Sequence, residues 1–192
     1  VLSMPIKQKS LQYDLSLKHQ EWLIKNFKNV EAHTLNLDKL FETFENTLSH
    51  FNSEHGMANS RARIRMATLY QVAAANKGIV VGTGNKVEDF GVGFYTKYGD
   101  GGVDISPIAD CNKSEVWEIG KSLNILKEII DAAPTDGLWD DGRTDEGQLG
   151  LKYEELEEAM NNVNSINREK YEKIRKINLH KMEPIPVCKI PN

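Results

Sequence analysis

The run Ile79-Val80-Val81 stops at Gly82-Thr83-Gly84-Asn85, and this junction constrains the fold more than any other stretch of the chain. A short continuous apolar run suits a parallel strand buried on both faces. Eight of the 14 glycines fall between Gly78 and Gly102. Glycine lets a backbone turn tightly and approach a ligand closely. In open α/β sheets, ligands bind at the edge where such strands end. Ordinary turns would also gather glycines, but this segment carries Lys86, Glu88, Lys97, Asp100 and Asp104 as well.

The elements around the junction agree with a parallel sheet. Val1 to Met4 reads as a short strand ending at Pro5, as if the chain opened inside a protein. Residues 15 to 29 read as a helix, with Leu17, Trp22, Leu23 and Phe27 apolar. Glu31 to Leu37 alternates and suggests a second strand. Asp38 is a candidate N-cap for a helix that lines up Phe41, Phe44, Leu48 and Phe51. Asn59 is a candidate cap for a long helix running to about Asn76, with Gly78 to end it. Further helices are expected at about 114 to 131, 152 to 163 and 166 to 179. Between them, Ala132 to Gly150 is polar and carries Asp136, Asp140, Asp141, Asp145 and Glu146, the pattern of a mobile loop. Strand, helix, strand, helix, helix, strand is the order of an α/β domain.

At 192 residues the chain is long enough for one domain with a sizeable core. A formal net charge of -4 argues against non-specific nucleic-acid binding. The two cysteines, Cys111 and Cys188, form neither a disulfide framework nor a CxxC zinc site. No apolar run approaches the ~18 residues of a membrane span. The expectation is a cytoplasmic protein without a membrane or nucleic-acid partner.

Several motifs fail on inspection. Gly82-Thr83-Gly84 would open a dinucleotide fingerprint, but Val87 holds the third glycine position. Gly120-Lys121-Ser122 resembles the end of a Walker loop, but Glu115 stands where the first glycine belongs. Asn112-Lys113-Ser114 matches a glycosylation acceptor without any sign of secretion. Glu88, about one turn into the helix after Thr83, could hold magnesium against phosphates, or simply sit in the field of a helix start. Arg61 and Arg65 share a helix face and Arg63 points elsewhere; a solvated role fits them equally.

Several segments together resemble the ammonia-dependent NAD synthetase family. They are Ser60-Arg61-Ala62-Arg63-Ile64-Arg65-Met66, Val81 to Glu88, Phe94 to Asp104, Lys113-Ser114-Glu115, Ala133-Pro134-Thr135-Asp136-Gly137-Leu138 and His180-Lys181. They follow one another in order over nearly the whole chain. The resemblance implies one NAD synthetase-like domain over residues 1–192. It implies a Rossmann-like α/β fold of the adenine nucleotide alpha-hydrolase type, with a parallel sheet and helices on both faces, working as a homodimer. It implies a carbon–nitrogen ligase that uses ATP and Mg2+. ATP adenylates the nicotinate carboxylate of deamido-NAD, and ammonia then displaces AMP to give NAD.

Residue by residue, the resemblance implies ATP contacts at Thr83, Lys113 and Thr135, and a magnesium ligand at Glu88. It implies deamido-NAD contacts at Arg63, Lys97 and Asp104. His180 and Lys181 match a tail that completes the dinucleotide site across the dimer. Cys111 and Cys188 read as structural.

The family's phosphate loop, Ser-Gly-Gly-x-Asp-Ser, is not in these residues. Val1 to Pro5 resembles the family's second strand, so the loop, with the first strand and helix, is expected upstream of Val1. The alternative is a nucleotide-binding or dimerisation module without catalysis. A third reading keeps the fold and changes the substrate, as in the synthetase half of GMP synthetase; Arg63, Lys97, Asp104 and the His180-Lys181 tail favour deamido-NAD. No glutaminase domain fits within the chain, which makes free ammonia, or a separate amidotransferase subunit, the nitrogen source.

Overall fold

The computed structural model describes residues 1–139 and 141–190. Asp140, one of the acidic residues of the 132–150 segment, lies outside them. The chain opens as a parallel β–α–β unit. Strand β1 (Leu2–Ser3) pairs with β2 (His33–Thr34) in the register Leu2↔His33 and Ser3↔Thr34, with helix α1 (Ser10–Asn26) between them. The pairing extends through backbone bonds from His33 to Val1, Leu35 to Ser3 and Leu37 to Pro5, every second residue donating, as a parallel ladder requires. α1 begins and ends earlier than the 15–29 periodicity suggests.

Asp38 does not cap helix α2 (Asp38–Thr47); it is the first helical residue, and its carboxylate accepts from the Lys7 N–H at 2.5 Å. The Asn36 side chain instead accepts from the Asp38 N–H at 2.9 Å. Of the expected aromatic stripe, Phe41 is fully buried against Ile6 and Leu37, whereas Phe51 lies 81% exposed in the 3-10 turn Ser49–Phe51. Helix α3 (Glu54–Ala75) starts before Asn59. Ser53 is its cap, accepting from Gly56 N–H at 3.2 Å, the same chemistry one turn and a half upstream. At the other end Lys77 takes the left-handed position (φ 54), and the Gly78 N–H bonds to the Ala73 carbonyl at 2.8 Å.

The strand expected at 79–82 is shorter and less covered than its composition suggests. Val81 bridges Ile105 in parallel, and Gly82 N–H bonds the Ile105 carbonyl at 2.7 Å. Val80 is buried, but Ile79 and Val81 are 60% and 54% exposed, so only one face is covered. The α/β organisation with parallel pairing is thus present as two short pairings among the described residues rather than one continuous sheet.

After the glycine turn the chain forms a π-helical turn, Lys86–Val92. Asn85 caps it by accepting from Val87 and Glu88 N–H, both at 3.1 Å. Gly93 ends it at φ 64, where a Cβ would lie 2.7 Å from the Asn178 Cβ. The 114–131 helix is two: α4 (Lys113–Ser122) and α5 (Lys127–Ile130), separated at Asn124 in the left-handed region (φ 57). α6 (Asp145–Leu149) forms inside the segment read as a loop, capped by the Thr144 hydroxyl. α7 (Tyr153–Asn161) and α8 (Arg168–Met182) complete the chain. The π turn packs on α7 and α8 around Val87, Val92, Tyr153, Leu156 and Tyr171. This core holds the candidate site.

Candidate functional site

Three helix starts converge beside the π turn. Asn85 fixes Glu88 through its backbone N–H. Lys113 is the first residue of α4, whose start is held by Glu115 accepting from Asn112 N–H and by Glu157 accepting from both the N–H and hydroxyl of Ser114. Tyr153 is the first residue of α7 and is fully buried. The Lys113 Nζ lies 2.9 Å from Glu88 Oε1 and 4.9 Å from the centre of the Tyr153 ring, a charge pair over an aromatic face. The Tyr153 hydroxyl donates to the same Glu88 oxygen at 2.5 Å and lies 3.1 Å from Asp145 Oδ2. The edge of the Tyr153 ring meets Trp117 at 5.9 Å between centroids.

Asp145 is buried, and its Oδ1 has no hydrogen-bond partner among the described residues. Burial first, then the Glu88 charge, push its carboxyl up to about 6. Burial, with Glu88 and Asp100, pushes Asp89 up to about 7. The Tyr153 phenol is raised by burial and by Glu88. This is a largely buried acidic cluster that holds the Lys113 ammonium group.

A second feature adjoins it. A cavity of about 220 Å3 lies between α3, the 94–100 turn, the 136–148 segment and α8, with Asn59, Tyr95, Thr96, Asp136, Trp139 and Lys181 among its walls. Asp136 organises its outer wall, accepting from Leu138 N–H, Trp139 Nε1 and Gln148 Nε2. The Arg143 guanidinium stacks 4.1 Å over the Trp139 ring. Lys181 closes the inner wall: its Nζ donates to the Gly93 and Tyr95 carbonyls at 2.8 Å each, and the Tyr95 hydroxyl donates back to the Lys181 carbonyl at 2.5 Å. Burial lowers its basicity. α6 joins the two features, since Asp145 faces Tyr153 while Gln148 holds Asp136.

The structure brings Glu88 and Lys113 together, and it also chains three expected substrate residues. Arg63 Nε donates to the Lys97 carbonyl at 3.2 Å, and Lys97 Nζ donates to the His180 carbonyl at 2.9 Å. His180 and Lys181 lie in the last turn of α8, and Lys181 docks on the 93–95 segment of its own chain, at the wall of this cavity. Three expected residues are engaged elsewhere or stand open. Asp104 clamps the strand pair, accepting from Val80 N–H at 2.7 Å and from the Tyr70 hydroxyl at 3.2 Å. Thr135 closes its own loop, donating to the Arg143 carbonyl and accepting from Gly137 N–H, and lines a neighbouring cavity with Gln8 and Arg65. Thr83 is exposed at the strand end. Tyr153 carries no functional signal in the sequence, and Asp145 reads as one of several loop acids, although Thr144 before Asp145-Glu146 marks a helix start.

The chain is similar to known proteins over most of its length. The family model for NAD synthase matches residues 1–190. The NH(3)-dependent NAD(+) synthetase of Carboxydothermus hydrogenoformans is 40% identical over 139 residues, 70% of this chain and 56% of that protein. That of Alkaliphilus oremlandii is 42% identical over 151 residues, 78% of this chain and 54% of that protein. The chain thus spans about half the length of the curated relatives it matches. Among solved structures, NMN synthetase from Francisella tularensis superposes with a TM-score of 0.86 at 32% identity, covering 100% of this chain and 77% of that one. The NH3-dependent NAD synthetase of Campylobacter jejuni shares the fold, with a TM-score of 0.72 at 24% identity over 98% of this chain and 77% of that one.

Proposed function

This chain belongs to the NAD synthase family, and from that premise we propose that the protein carrying it amidates deamido-NAD with ammonia, at the cost of ATP cleaved to AMP and pyrophosphate. The observation that carries the reading is the meeting of Glu88 and Lys113, which resemblance alone assigns to cation and phosphate. Lys113 supplies a point charge for the departing pyrophosphate. Thr83 offers a hydroxyl and Thr135 a second one for ATP. Arg63, Lys97, Asp104, His180 and Lys181 are the residues for the acid substrate, and the Arg63–Lys97–His180 chain supports three of these five as one surface. Trp139 and Asp136 give the cavity an outer wall that keeps water from a carboxyl-adenylate.

Magnesium fits these residues as a companion of phosphate. Among the described residues no three His, Cys, Asp or Glu side chains converge to cage a cation. Magnesium that travels with phosphates needs only one or two carboxylates. Glu88 offers one, and the unpartnered Asp145 Oδ1 shows spare acceptor capacity beside it. When bound, the ion would offset charge on the leaving pyrophosphate. We assign the protein to one synthetase domain over 1–192, a homodimer and the cytoplasm, the last in keeping with two free cysteines. No helix among the described residues is long and apolar enough to cross a membrane.

A second reading is amidation of the corresponding mononucleotide. The superposition of this chain on 77% of an NMN synthetase favours it, and the chemistry at the carboxylate is the same. The module without catalysis has no support in these relatives, which are synthetases by name. The experiment gives the full-length protein ATP, Mg2+ and ammonia with either acid. NAD with AMP supports the first reading, and NMN with AMP supports the second. Neither product and no AMP overturns both.

A further inference from the structure

We propose that Tyr153 is the positioning residue for Glu88, fixing the carboxylate in the pose from which it meets a cation–phosphate ligand. The inference rests on the reading of Glu88 given above. The cluster has an accessible rim and a buried base. Glu88 and Lys113 keep 17% and 18% of their side-chain surface, while Tyr153 has none. A ligand can therefore touch Glu88 but not the phenol, and Tyr153 acts only through its neighbour. A glutamate has three rotatable side-chain bonds, and an ion pair to a lysine, itself long and flexible, fixes few of them. The Tyr153 hydroxyl is different. Its ring is wedged in the core against Trp117 and Leu156, so its oxygen has one location, 2.5 Å from Glu88 Oε1. With both Tyr153 and Lys113 directed at Oε1, that oxygen is the anchored one. Asp145, on the far side of the hydroxyl, ties the same anchor to α6 and thus to the cavity wall.

A purely structural tyrosine would explain its ring but not a hydroxyl aimed at Glu88, the more exposed of its two carboxylate neighbours. Residues that orient a metal ligand typically change metal affinity about 10–100-fold when removed. The test uses the full-length protein and Mn2+ as the probe, its binding in the presence of ATP read by electron paramagnetic resonance. Tyr153→Phe keeps the ring and deletes the hydroxyl. The expected result is Mn2+ binding weakened about tenfold, with metal-free ATP binding unchanged. The double variant with Glu88→Gln should bind no more weakly than Glu88→Gln alone, because both remove one device. Wild-type Mn2+ binding by Tyr153→Phe, or a loss that adds fully to that of Glu88→Gln, overturns the proposal. Wild-type binding by Glu88→Gln overturns it at its premise, and shows the Glu88 assignment to be the part that failed. Should Tyr153→Phe not fold, 4-fluorophenylalanine in place of Tyr153 fills the space of the hydroxyl without its donor and should show the same loss of about tenfold; wild-type Mn2+ binding by that protein overturns the proposal.

Discussion

Lys113 Nζ and Glu88 Oε1 sit 2.9 Å apart with more than four-fifths of each side chain withdrawn from water. The two residues come from different elements, and nothing in their spacing announces the contact. The pair is worth more to the fold through what its loss would leave behind than through its attraction. Lys113→Ala leaves the Glu88 carboxylate beside Asp145 with only the Tyr153 hydroxyl, and should destabilise by about 2–3 kcal/mol. Glu88→Gln keeps an oxygen for both Lys113 and Tyr153 and should cost clearly less. Urea unfolding of both variants at pH 7 checks the order, and an equal or reversed order refutes it.

Buried acids should make stability fall as pH rises. The Asp145 carboxyl moves from 3.8 up to about 6 on folding, and Asp89 from 3.8 up to about 7. A raised folded value means that the folded state holds the proton more tightly. Its contribution is full below about pH 4 and is lost as pH climbs through 6 to 7. The geometry agrees: one Tyr153 hydroxyl proton faces two carboxylates, and a protonated Asp145 resolves the conflict by donating. Asp145→Asn should be more stable than the wild type at pH 8, by at most about 3 kcal/mol, and the gain should vanish near pH 4. Denaturation curves at both pH values test this; a gain that grows toward acid would be the wrong sign.

Much of the site was legible, for a reason that also marks where legibility stops. Glu88 and Lys113 stand in local motifs, so their proposed roles travel with short stretches of sequence, and the structure adds that they touch. Tyr153 carries no such signature. At the first turn of a helix it reads as a core aromatic, and its ring is one; only the three-dimensional approach of Glu88 reveals the hydroxyl's use. The glycine-bounded run at 79–82 was read as covered on both sides, but apolar composition does not say how many neighbours a strand finds, and Ile79 and Val81 stay exposed. Asn59 fits an N-cap by composition and lost the place to Ser53. Its side chain instead accepts from Thr96 at 2.7 Å, a contact across 37 residues that no local rule foresees.

Two glycines, one beside α8 and one at the end of α3, should respond differently to one methyl group. Gly93 sits at φ 64, and a Cβ there would press on the Asn178 Cβ at 2.7 Å, where the π turn meets α8. Gly93→Ala should lower stability by about 2 kcal/mol or more, through backbone strain and displaced α8. Gly78 has an ordinary φ, and its Cβ would meet only the Ala73 carbonyl at a comfortable 3.7 Å. Gly78→Ala should be neutral or stabilising by up to about 1 kcal/mol, because it removes freedom from the unfolded chain. Thermal melts of the two variants give the comparison. Equal losses would mean that the α8 contact is not what constrains position 93.

On the proposed assignment, Lys97 is where recognition of the acid substrate can be told from recognition of ATP. Its ammonium holds the His180 carbonyl at 2.9 Å while its own carbonyl is held by Arg63, so it lies in the middle of the chain of groups assigned to the dinucleotide. It is not among the contacts of the Glu88–Lys113 pair, to which cation and phosphate are assigned in the proposed function. Lys97→Ala should therefore raise KM for the acid substrate about tenfold, the loss of one charge-assisted contact, and leave KM for ATP within about twofold. The last turn of α8 also loses a tether, so the melting temperature is measured beside the kinetics. If Lys97→Ala raised both KM values alike, the ammonium would be a brace for α8, and the acid would have to be recognised elsewhere along the cavity. If the variant moved KM for one acid only, dinucleotide or mononucleotide, that acid would be the one whose shape reaches Lys97.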